Sequence, residues 1–178
     1  MDMIKIGPAG RSGGTIWDYK GRDQVAGVLV SYNKKAIVSL QFLYHENSKL
    51  VPSNKHGCDT CTQSSCAVVF DYPLEFLTSI SGSFKSLNSL SSPFKSILNT
   101  IKFGTHKGSY GPFGTPSTTD GDKDFNFQTG NHRLAFRWFS WRTECSSNIE
   151  SIGVYVKTII SPMINLKHPR VKSEKEEY

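Results

Sequence analysis

Nowhere in this chain do apolar residues run for the roughly 20 positions that a bilayer-crossing helix needs, so no membrane partner is expected. The start, Met1-Asp2-Met3-Ile4-Lys5, is followed by no apolar leader region. A secretory signal is therefore not expected, and the location to expect is cytoplasmic or nucleocytoplasmic. Cysteine is scarce. Four thiols stand at Cys58, Cys61, Cys66 and Cys145, three of them crowded into one segment. That is not the spread-out framework that staples small secreted folds, so free thiols are the expectation. A dense basic stripe is also missing. The net charge is +6 and the pI about 9.1, but the basic residues scatter from Lys5 to Lys175, which argues against a nucleic-acid interface. There is no His-Glu-x-x-His and no phosphate-cradling loop, and the histidines at 45, 56, 106, 132 and 168 sit in unrelated contexts. A glycosidase would need two carboxylates across one bond, and no such pair is evident. Neither an enzyme nor a cofactor is expected.

What the chain has is alternation. Val25-Ala26-Gly27-Val28-Leu29-Val30-Ser31-Tyr32 and Ala36-Ile37-Val38-Ser39-Leu40-Gln41-Phe42-Leu43-Tyr44 are β-branched and aromatic runs split by Asn33-Lys34-Lys35, which predicts a hairpin. Similar runs fall at 67–70, 76–84, 97–103, 125–127, 133–138 and 152–156, with turn residues in every interval. This is the pattern of an all-β chain of about a dozen short strands. Gly7-Pro8-Ala9-Gly10 is echoed by Gly111-Pro112-Phe113-Gly114, a hint of internal repetition. At 178 residues the chain holds one domain, read here as residues 1–160. Residues 161–178 lack any period and offer little to bury, so they are expected to form a polar, disordered tail.

One constellation points to recognition rather than catalysis. The loop Ser146-Ser147-Asn148-Ile149-Glu150 ends in a carboxylate just before the strand Ile152-Gly153-Val154-Tyr155-Val156, and a glycine pair, Gly13-Gly14, precedes Trp17-Asp18 near the other end of the chain. A carboxylate accepting from two vicinal hydroxyls makes charge-assisted hydrogen bonds. Glycine lets the backbone approach a ligand closely. Together these suit a shallow polyol site. The plainer alternatives are a simple turn at Gly13-Gly14 and a solvated loop acid at Glu150. Trp138 and Trp141 offer either an aromatic face to a sugar or ordinary packing.

Several blocks in order, Ile4-Lys5-Ile6-Gly7-Pro8, Gly13-Gly14-x-x-Trp17-Asp18, Leu74-Glu75-Phe76-Leu77-Thr78-Ser79-Ile80-Ser81-Gly82, Tyr110-Gly111-Pro112-Phe113-Gly114 and Ile152-Gly153-Val154-Tyr155, resemble the plant jacalin-related lectins of the mannose-binding type. The likeness runs from about Ile4 to Lys157. It implies a β-prism I: three antiparallel four-stranded Greek-key sheets about a pseudo-threefold axis. It also implies a metal-free binding module for mannose-type or glucose-type glycans or glycoproteins, often a homo-oligomer, with a role in defence or stress. The residues it places at the sugar are Gly14 as an amide donor, Glu150 as the carboxylate, and Ser146, Ser147 and Asn148 between them. The Ser86–Pro93 stretch, with Asn88 and Ser89, would frame the site as a third loop.

The pattern departs from the family at both ends of that loop. Glu150 stands where the family has aspartate, which moves the carboxylate by roughly a bond length, a large step against a hydrogen-bond distance of about 2.7 Å. Ser146 stands where it has glycine. The preceding strand is open to two alignments: if Phe136 matches the family phenylalanine the loop carries about five extra residues, and if Trp141 matches, the strand is longer and the loop is of ordinary length. Two further functions stay open. One is a protein-interaction module of the same fold with a degenerate sugar site. The other makes the Cys-rich loop, with Cys58, Cys61, Cys66 and His56, a zinc or redox element.

Overall fold

In the computed structural model the described residues are 3–10, 15–18, 25–58, 60–89, 92–116, 121–128, 137–142 and 148–157. Among them there is no helix, and every regular element is a strand. Sheet 1 runs β1 (Met3–Gly10), β13 (Ser151–Lys157), β12 (Arg137–Arg142), β2 (Thr15–Asp18). Sheet 2 runs β10 (Ser109–Gly114), β9 (Ser92–Thr105), β8 (Leu77–Ser89), β11 (Lys123–Gln128). Sheet 3 runs β5 (Lys49–Pro52), β4 (Ile37–Glu46), β3 (Val25–Tyr32), β7 (Ser64–Val69), with β6 (His56–Gly57) also paired to β4. All pairings are antiparallel. In sheets 2 and 3 a central hairpin is followed by one outer strand and then the other, which is a Greek key. Sheet 1 has the same spatial order but is assembled from both ends of the chain. This is the expected β-prism.

The threefold repetition is visible residue by residue. A glycine with positive φ ends each outer strand: Gly10 (φ 91°), Gly114 (φ 88°) and Gly57 (φ 123°). They pair with Ser151, Thr100 and Ser39 and lie against the carbonyls of Glu150, Asn99 and Val38. At Gly57 any Cβ would strike the Val38 carbonyl, so only glycine fits. The register also slips on each outer strand, between Ile6 and Ala9 and between Tyr110 and Phe113. In sheet 3 the same irregularity splits the edge into β5 and β6, and Ser53 fills the break: its N–H reaches the Phe42 carbonyl at 2.7 Å and its Oγ accepts from the Phe42 N–H at 2.9 Å. The Gly-Pro-x-Gly echo in the sequence is therefore two of three copies of one device. The third, Asn54-Lys55-His56-Gly57, keeps only its last glycine.

Alternation builds the core. Ile37, Leu40, Phe42 and Tyr44 of β4 face inward beside Val28 and Val30 of β3, Ile101 and Phe103 of β9, and Ile152 and Val154 of β13. Each such side chain stabilises the fold by roughly 2 kcal/mol on burial. Three predicted boundaries shift. Strands 76–84 and 97–103 grow into the long arms β8 and β9, because their Ser/Asn-rich ends pair in register down to Ser89 with Ser92. The strand expected at 133–138 is described as 137–142, with 133–136 outside the described residues. β12 pairs through Trp141 with Ser151 and through Arg142 with Thr15, so the strand before the loop reaches Arg142. The tail at 161–178 lies outside the described residues.

Candidate functional site

Strand pairing brings the described residues that flank the predicted loops to one end of sheet 1. Gly10 pairs with Ser151, Trp141 pairs with both Ser151 and Ile16, and Arg142 pairs with Thr15. Gly10, Thr15, Arg142 and Ser151, the described residues that flank 11–14 and 143–150, therefore lie at the same end of the sheet. Gly13, Gly14, Ser146 and Ser147 fall outside the described residues, as do Cys145 and the side chains of Trp138 and Trp141. Asn148 is half-buried.

Glu150 is not a solvated loop acid. Its exposure is 1%, because the end of the loop is drawn into the prism. Ile149 sits in the core at 3% exposure and its carbonyl accepts the Leu98 N–H at 2.8 Å. The Glu150 carbonyl accepts the Ser96 hydroxyl at 2.8 Å, and Gly10 closes against the same oxygen. These contacts fix the backbone at Glu150.

Asn88 and Ser89 are strand residues rather than members of a loop. The expectation of a third loop came from a run of serine and asparagine, but the two arms of the hairpin satisfy each other's backbone groups, which overrides weak strand propensity. From Ser96, level with Glu150, the arm continues four residues to Ser92, about 13 Å. The hairpin thus extends beyond the level of Glu150.

Chemistry separates the three equivalent positions. Glu150, Asn99 and Val38 each present a carbonyl to the positive-φ glycine of their own sheet. Only sheet 1 has a carboxylate there. Sheet 3 instead has a cleft of about 450 Å³ between Asn33, Lys34 and Lys35 of the β3–β4 turn and Thr60, Cys61 and Gln63 of the β6–β7 connection. The Asn33 side chain organises that turn, accepting from the Lys35 and Ala36 N–H groups at 2.8 and 3.0 Å and donating to the Cys61 carbonyl at 3.1 Å.

The zinc set is not assembled. No group of three metal-binding side chains forms among the described residues. The reason is topological. Cys58 bonds through its N–H to Val38 and His56 pairs with Leu40, both on the β4 side of sheet 3, whereas Cys66 pairs with Val30 from β7 on the other side of β3. With strands spaced roughly 4.8 Å apart, Cys66 lies about 14 Å from the other two.

The sequence also passed over Glu75 as anything but part of a block. Its carboxylate accepts from Thr105 Oγ1 at 2.7 Å, from Tyr110 OH at 3.0 and 3.1 Å, and from the Asp71 N–H at 3.1 Å. Burial alone would raise its pKa, but the hydrogen bonds from Thr105, Asp71 and Tyr110 and the Lys107 ammonium hold it below the ordinary carboxyl value. Burial, and then the Glu75 charge, push the Tyr110 phenol up. The signal that could have found this network is a carboxylate flanked by apolar residues on both sides, in Leu74-Glu75-Phe76-Leu77.

A three-sheet prism with its loop cluster at one end defines a β-prism lectin domain. The model of the Jacalin-like lectin domain matches residues 6–155, and the chain belongs to that family. It is 34% identical over 113 residues to Jacalin-related lectin 3 of Arabidopsis thaliana, spanning 64% of this chain but only 18% of that relative's length. It is 32% identical over 160 residues to Protein RESTRICTED TEV MOVEMENT 1 of the same plant, covering 86% of this chain and 87% of the relative. Among solved structures, the Mannose Binding lectin from Champedak superposes with a TM-score of 0.72 at 28% identity, over 89% of this chain and 99% of that one.

Proposed function

We propose that this protein is a lectin that binds mannose-type or glucose-type glycans without metal at the loop end of sheet 1. Gly14 supplies a backbone donor, Glu150 the carboxylate, and Ser146, Ser147 and Asn148 the loop between them, with Asn88 and Ser89 on the flanking arm. The observation that carries the reading is the carboxylate itself: of three equivalent positions, only that of sheet 1 holds one, and it is shielded from water. Low local polarity strengthens its bonds to hydroxyl groups. The likeness to a structure titled as a mannose-binding lectin supports the sugar class.

Isothermal calorimetry with methyl mannoside and oligomannose tests this. Binding at up to roughly millimolar ligand is expected, unchanged by a chelator. Glu150→Gln keeps the shape but removes the charge, and about a tenfold to hundredfold loss of affinity is expected for one charged hydrogen-bond partner. Unchanged affinity in Glu150→Gln would remove this loop as the site.

A second reading is a protein-interaction module on the same prism. It is favoured by the altered residues Ser146 and Glu150 and by a relative named for restricting TEV movement rather than as a lectin. No heat with any mannoside would favour it. The proposal further includes a cytoplasmic location and self-association, to be checked with a fluorescent fusion and by light scattering.

A further inference from the structure

We infer that Cys58 and Cys61 form a thiol–disulfide exchange site that takes anionic low-molecular-weight disulfides, of which oxidised glutathione is the type. Both sulfurs approach the same hydroxyl, Thr60 Oγ1, at 3.4 Å from Cys58 and 3.9 Å from Cys61. Their exposure differs in a useful way. Cys61 is exposed and lines the 450 Å³ cleft together with Thr60, whereas Cys58, on the other side of that threonine hydroxyl, is buried. Lys34 and Lys35 form the facing wall, so the cleft draws in carboxylate-bearing molecules. Cys66 cannot compete, because β3 and β4 stand between it and Cys58.

The chemistry runs in two displacements. Cys61 gives up its proton to solvent and its thiolate attacks one sulfur of the incoming disulfide; a Cys61–glutathione bond forms and one glutathione thiolate leaves, taking a proton from solvent. Cys58 then attacks the Cys61 sulfur, the intramolecular disulfide forms, and the second glutathione thiolate leaves and is protonated. Two protein thiols are oxidised and one disulfide is reduced to two thiols. The division of labour follows from electrostatics and access. The hydrogen bond from the Cys61 thiol, then that from the Thr60 hydroxyl, lower the Cys58 pKa to about 6, while the same pairing raises that of Cys61. Cys58, buried beside Thr60, is too enclosed to be trapped by a bulky thiol itself and resolves the mixed disulfide formed on Cys61.

The test uses the full chain, fully reduced, in glutathione redox buffers, quenched with acid and mapped by peptide mass spectrometry. A Cys58–Cys61 bond is expected in the wild type, reversed by excess dithiothreitol. Cys58→Ser is expected to accumulate glutathione on Cys61, and Cys61→Ser to take up little or none. A Lys34→Glu, Lys35→Glu variant should react roughly threefold to tenfold more slowly with oxidised glutathione at low ionic strength but at the wild-type rate with neutral hydroxyethyl disulfide. A wild-type bond to Cys66, no bond at all, or a Cys58→Ser protein that stays unmodified would overturn the assignment. Equal slowing toward both reagents would overturn the anionic class.

Discussion

Two buried carboxylates stand at different levels of β9, Glu75 beside Thr105 at its last residue and Glu150 level with Leu98 near its middle, roughly 20 Å apart along the strand. Glu75 is 5% exposed and is held by the Asp71 N–H, Thr105 and Tyr110, which tie the β7–β8 connection to the β9–β10 turn. A Lys107–Asp71 ion pair at 2.9 Å lies over it on the surface. Glu150 is more deeply buried still, and its carbonyl is held by Ser96 and lies against Gly10. The same residue type thus serves as a brace between two connections at Glu75, and at Glu150 is proposed as a ligand group.

The largest expected effect breaks the brace. Glu75→Ala leaves Tyr110 OH and the Asp71 N–H without their acceptor, and a loss of about 3 kcal/mol in stability is expected from urea titration. Sugar affinity should not change. The converse is expected for Glu150→Gln, so one carboxylate moves stability alone and the other moves affinity. If both variants lost stability equally with affinity intact, the contrast between the two carboxylates would fail.

Acid sharpens the same comparison. The Glu75 pKa is depressed in the folded state, so its stabilisation is fully present above the unfolded value near 4.5 and is lost as pH falls through the lower folded value. Wild-type stability should therefore fall below about pH 4.5, and the fall should be shallower in Glu75→Gln, as read by thermal melts across that range. A Glu75→Gln melt curve parallel to wild type in acid would rule out this linkage.

Much of the fold was legible because its signals are local and repeated. The alternation in β3 and β4 predicted the hairpin, and the Gly-Pro-x-Gly echo predicted a repeat. What stayed hidden depends on pairing at a distance. Nothing in Ser86-Leu87-Asn88-Ser89 says strand; the partner arm decides it. The site was legible in residue identity but not in environment: Glu150 is recognisable from the strand after it, whereas its burial follows from bonds to Leu98 and Ser96, about fifty residues away in sequence. The separation of Cys66 from Cys58 likewise comes from sheet order, which no spacing of cysteines records.

The smallest expected effect concerns the position that matches Glu150 in sheet 2. Asn99 is 2% exposed, and its side-chain Nδ2 has no hydrogen-bond partner among the described residues. An unsatisfied buried donor costs roughly 1–3 kcal/mol, so an apolar side chain of similar volume avoids that cost at the risk of a small misfit. Asn99→Leu is accordingly expected to be neutral or up to about 1 kcal/mol more stable, with sugar affinity unchanged. Asn99→Asp probes the other side of the argument, since a carboxylate placed at the sheet 2 position would carry the residue class of the proposed site without the Gly13-Gly14 segment or the 143–150 run. No gain of mannoside binding is expected there. If Asn99→Asp did create a second mannoside stoichiometry by calorimetry, the carboxylate would be sufficient by itself, and the loops at the end of sheet 1 would matter less than its position on the prism.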